Sequence, residues 1–160
     1  MKMRTLIAAM GLALAGLLGG TLAQAAQARA QDLGYWRPAD SMAAAITGDI
    51  TIRPSELTIY FMTYSLAPIR ALKPAEVSAA FDVVADPGIS GMLYRLKVPA
   101  AQRFAHKNTL CGGEETQWMA TYVTGKTLEV ALFSGDEIPV FTFEAMQGSQ
   151  ARCGVFTYKR

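Results

Sequence analysis

Gln117-Trp118-Met119-Ala120-Thr121-Tyr122-Val123, then Thr124-Gly125-Lys126, then Thr127-Leu128-Glu129-Val130-Ala131-Leu132-Phe133: this stretch decides the fold class. Two runs rich in β-branched and aromatic residues flank a short turn containing glycine, which predicts a hairpin. In the second arm Leu128, Val130 and Leu132 share one face and Glu129 takes the other, the period of two that a strand imposes.

The same pattern recurs on both sides. Gly91 to Val98 reads as a strand, with Met92, Tyr94, Leu96 and Val98 on one face and Arg95 and Lys97 on the other. Asp49 to Arg53 and Leu57 to Met62 alternate around a turn at Arg53-Pro54-Ser55-Glu56, and Gly154 to Tyr158 reads as the last strand. Short helices fit between them. Asp40 or Ser41 can cap Met42-Ala43-Ala44-Ala45, and Pro74 can open a helix through Phe81. Pro99 to Phe104 reads as one or two helical turns, and Phe141 to Glu144 as a strand or the lead-in to a helix. Residues 65 to 90 otherwise fit no single pattern, apart from the Asp86-Pro87-Gly88 turn.

The count is roughly six to eight short strands in meander order. A mainly β fold follows: a small antiparallel barrel or strongly curved sheet with a few short helices, which leaves no long exposed edge.

Residues 34–160 form the expected single domain, preceded by two segments of other character. Lys2 and Arg4 stand ahead of an apolar run from Leu6 to Leu18, and alanine-rich sequence follows. This is the pattern of a secretory signal, expected over residues 1–25. The run is short for a membrane span, which takes about 20 apolar residues. Cleavage after Ala23-Gln24-Ala25 or after Ala28-Arg29-Ala30 fits the pattern, and residues 26–33 read as a flexible leader.

Of 15 basic residues against 13 acidic ones, two (Lys2 and Arg4) fall in the signal, so the mature part is balanced. No basic block remains to give nucleic-acid binding an electrostatic footprint. No amphipathic or polybasic stretch predicts membrane docking.

Cys111 and Cys153 are the only cysteines, and each precedes a glycine. An even count in an exported chain predicts a disulfide. Two free thiols or a metal pair are the alternatives, and two cysteines with the single His106 make a poor zinc set.

Gly34-Tyr35-Trp36 resembles the G-x-W that opens the first strand of lipocalins. A broader resemblance covers most of the mature chain. It is carried by Asn108-Thr109-Leu110-Cys111-Gly112, Trp118, Phe133-Ser134-Gly135, Cys153-Gly154 and Phe156-Thr157-Tyr158. This set is similar to a group of small exported bacterial proteins to which no activity is assigned. The resemblance implies export, a disulfide and a lipocalin-like barrel, and it implies no reaction.

Constellations for chemistry are sparse. His106 has no cysteine or histidine at ligand spacing, and no G-x-S-x-G elbow occurs. Glu114 and Glu115 are adjacent and would point apart in a strand. Gly112-Gly113 is too short for a phosphate loop. No catalytic residue, metal ligand or cofactor is therefore expected. Tyr94, Trp118 and Tyr122 are expected to point into the barrel, where they either line a ligand cavity or fill the core.

These readings converge on a monomeric, periplasmic or secreted, non-enzymatic binding module. Its partner would be an unknown protein, as for an inhibitor or an envelope-associated protein, met by loops 111–116 and 134–150. The alternative is a carrier of a small apolar ligand in the barrel interior.

Overall fold

A computed structural model describes residues 26–28, 30–98 and 110–160. The expected signal segment and His106 lie outside the described residues.

Eight strands form a closed antiparallel barrel in simple sequence order. They are β1 (Gly34–Pro38), β2 (Ile50–Arg53), β3 (Glu56–Ile59), β4 (Met62–Leu72), β5 (Gly91–Lys97), β6 (Thr116–Thr124), β7 (Thr127–Ser134) and β8 (Arg152–Lys159). Arg37 pairs with Lys159 and Pro38 with Tyr158, which closes the ring.

Leu57 to Met62 is not one strand. Tyr60 and Phe61 turn the chain with φ of 48° and 65°, and Ile59 then pairs with Met62 across a two-residue hairpin. Side-chain alternation continues through such a turn, so the sequence pattern hides it.

Among the described residues, three short helices lie between strands: α1 (Ser41–Ile46), α2 (Pro74–Phe81) and α3 (Phe143–Gln147). Asp40 caps α1 by accepting from the Ala43 N–H at 2.6 Å. Pro74 opens α2, and the Glu76 carboxylate accepts from the Lys73 N–H at 2.9 Å. Arg70 grips the same carboxylate through two hydrogen bonds of 2.8 Å. That fork holds the Glu76 carboxyl below its ordinary range.

The structure also differs from expectation at residues 26–33. Residues 26–28 and 30–32 are helical, and Ala28 and Asp32 are buried against the barrel.

The core has two layers. Inside the barrel, Trp36, Ile50, Ile52, Leu57, Ile59, Tyr64, Leu66, Met92, Tyr94, Leu96, Met119, Leu128, Val130, Leu132, Phe156 and Tyr158 form one cluster. Outside it, α2 and α3 pack on the outward residues of β4 to β7, including Leu93, Trp118, Tyr122 and Phe133. Gly91 permits this close packing. A Cβ there would sit 2.4 Å from the Thr121 carbonyl oxygen and 3.1 Å from Val77.

Candidate binding site at the loop end of the barrel

An up-and-down barrel sends alternate connections to opposite ends. The β1–β2, β3–β4, β5–β6 and β7–β8 connections therefore share one end. The β7–β8 connection, residues 135–151, is the main described element there.

The two loop regions singled out from the sequence meet at this end. Cys111 is bonded to Cys153, with their Cα atoms 5.0 Å apart. Ser134 donates through its hydroxyl to the Glu114 carboxylate at 2.6 Å. The Ser134 N–H donates to the Ala151 carbonyl at 2.8 Å. The 110–115 segment is thus fastened to both ends of the β7–β8 connection.

A polar knot holds the start of that connection. Arg95 donates to the Asp136 carbonyl at 3.1 Å and also to the Gln117 side chain. Gln117 donates to the Asp136 carboxylate at 2.7 Å, and the Trp118 N–H donates to the Gly135 carbonyl at 3.0 Å. The Arg95 guanidinium stacks 4.3 Å from the Trp118 ring centroid. The ion pair from Arg95 to Asp136 is long, at 3.6 Å, and Asp136 is largely exposed, so it adds little by itself.

Beyond the knot the loop turns apolar side chains outward. Ile138, Val140 and Phe143 are 52%, 62% and 53% exposed. A cleft of about 390 Å³ runs beside them, lined by Glu137, Pro139, Ala145 and Met146 among others. An anchored loop with outward apolar groups can hold a partner's surface.

The aromatic trio divides. Tyr94 points into the barrel and donates to the Asp32 carboxylate at 2.8 Å. Trp118 and Tyr122 do not point inward; they lie on the outer face beneath α2 and α3. The reason is that β6 is buried on both sides. Met119, Thr121 and Val123 fill the barrel while Trp118, Ala120 and Tyr122 meet the helical layer, so the strand has no polar phase to read.

Asp32 was not legible as a special residue. Its side chain enters the barrel interior and accepts from Tyr94 and, at 2.6 Å, from Thr121. Burial pushes its carboxyl up to about 6, against the downward pull of those two hydroxyls. At the other buried polar point, Thr47 and Tyr158 share a hydrogen bond of 2.5 Å, and burial raises the Tyr158 hydroxyl.

Among the described residues, no three His, Cys, Asp or Glu side chains stand together as a metal site. No described helix is long and apolar enough to cross a membrane. No protein-family model, curated protein or solved structure matches the chain.

Proposed function

We propose that this protein is an exported, non-enzymatic binding module that grips a protein partner with the loop end of its barrel. One observation carries the reading: the 135–151 loop is tethered at both ends and still presents Ile138 and Val140 to solvent. A preorganised loop loses little entropy on binding, and exposed apolar side chains supply the burial that drives association.

The Cys111–Cys153 bond supports an oxidising destination, and the signal-like N-terminus agrees with it. The meander barrel with Gly34-Tyr35-Trp36 opening β1 supports a lipocalin-like reading of the fold. A carrier role draws less support. Trp36, Tyr64, Tyr94 and Tyr158 are each at most 1% exposed, and together they occupy the interior that a ligand would need.

Affinity capture from a bacterial envelope extract tests the reading. The wild-type protein should retain a defined protein, and the Ile138→Ser/Val140→Ser variant should lose it while keeping its fold. Retention of the same set by both proteins, or of nothing by either, overturns the proposal.

A further inference from the structure

The outside of the barrel is covered unevenly. Helices shield the outward residues of β5 to β7 and the end of β4 at Leu72, whereas those of β1 to β3 and of the first half of β4 face solvent. On this bare face Tyr35, Thr51, Thr58 and Thr63 stand in one register row across four strands. The hydroxyls of Thr58 and Thr63 are 3.2 Å apart.

Two grooves meet at Tyr35. One, of about 350 Å³, is lined by Tyr35, Asp49, Thr51, Thr58, Tyr60 and Phe61. The other, of about 480 Å³, is lined by Tyr35, Arg37, Lys159 and Arg160. Tyr35 is tied through its hydroxyl to Asp49, which holds its ring between them.

The second groove is cationic. Arg37 and Lys159 are directly opposed in the β1–β8 register. Like charges so placed repel, and among the described residues neither forms an ion pair with a carboxylate. An anion bound between them would relieve that repulsion.

We propose that this face binds an acidic oligosaccharide. The Arg37 guanidinium lies over one face of the Tyr35 ring, 5.9 Å from its centroid, and the other face offers a flat apolar surface for the C–H face of a sugar. The threonine row offers donors and acceptors matched to sugar hydroxyls. Arg37 and Lys159 take a carboxylate substituent on the neighbouring sugar. Phe61, wholly exposed at the rim, bounds the trough on the far side. A simple anion would use the cations alone and leave the ring and the hydroxyl row unused. A single-stranded nucleic acid would use ring and cations but not the row.

Isothermal titration with hexagalacturonate, maltohexaose, inorganic phosphate and a thymidine hexanucleotide tests this. Hexagalacturonate should bind best. Tyr35→Ala and Arg37→Ala/Lys159→Ala should each weaken it by about tenfold, and Thr51→Val should weaken it less. All of these side chains are exposed or half-buried, and circular dichroism should confirm that each variant keeps the barrel. Absent binding of hexagalacturonate overturns the proposal, as does equal binding of maltohexaose, phosphate or the hexanucleotide, or a titration that the substitutions leave unchanged. The loop variant Ile138→Ser/Val140→Ser should bind hexagalacturonate normally, which keeps this site separate from the 135–151 loop.

Discussion

The guanidinium of Arg160 lies over the buried ring of Trp36, 4.3 Å from its centroid. Its two terminal nitrogens donate to the carbonyls of Leu33 and Gln31 at 3.2 and 3.3 Å. The Trp36 N–H in turn donates to the Asp32 carbonyl at 2.8 Å. One side chain beyond β8 therefore clasps β1 and the helical turns that precede it.

Arg160→Ala should cost roughly 1–3 kcal/mol, from the loss of the stacked cation and of two hydrogen bonds. Arg160→Lys should recover less than half, because an ammonium cannot keep the planar fork over the ring. Urea unfolding of the three proteins measures both effects.

Asp32 makes stability depend on pH in an unusual direction. Its carboxyl is raised from 3.8 to about 6 by burial. Between those values the folded state holds a proton that the unfolded chain has released. The contribution of this group is thus complete below about pH 4 and is lost as the pH rises through 6. Asp32→Asn keeps acceptors for Tyr94 and Thr121 and has no proton to lose. The stability difference between wild type and Asp32→Asn should move against the wild type by roughly 2 kcal/mol between pH 4 and pH 7. Unfolding curves across that range would detect it. A constant difference would contradict the buried-carboxyl account.

The Cys111–Cys153 bond joins residues separated by 42 positions and fastens the 110–115 segment to the start of β8. Replacing both cysteines by Ser should lower stability by roughly 2–4 kcal/mol with the strand content unchanged in far-ultraviolet circular dichroism. Denatured, unreduced protein should show no titratable thiol.

Phe61 adopts a positive φ of 65° and is 100% exposed, so it gains nothing from packing within the domain. Phe61→Gly should therefore stabilise the protein by about 1 kcal/mol, because glycine takes that conformation without a Cβ clash. Calorimetry would register the gain as a higher Tm. The neighbouring Tyr60→Gly should not help. Tyr60 donates to the Ala45 carbonyl at 3.1 Å and packs against Gly48, contacts a glycine would lose.

The hairpin of β6 and β7 was legible because its turn is short and its second arm alternates cleanly. The same hairpin also held the correction for its first arm. Antiparallel partners share a face, and Tyr122 pairs with Glu129. Once Glu129 is placed outside, Tyr122 must be outside too, and Trp118 with it. Pattern reading strand by strand misses this, since the information lies in register. Asp32 was illegible for another reason. A single acid in polar sequence looks solvated until the tertiary fold carries it into the barrel, where Tyr94 and Thr121 await it from distant strands. The bond between Cys111 and Cys153 needed only the count and the expected compartment.

The barrel is sealed by two register pairs between its first and last strands. A polypeptide emerges from its N-terminus, so β1 appears first and β8 last. For most of its synthesis β1 holds an open edge, and Trp36 lacks the guanidinium that later covers it. The seal is the longest-range strand pairing of the fold, which makes its closure a late and slow event. Until then the nascent chain presents a ready template to any other extended segment. Temporal order, more than final stability, sets the moment at which this molecule is most vulnerable to aggregation.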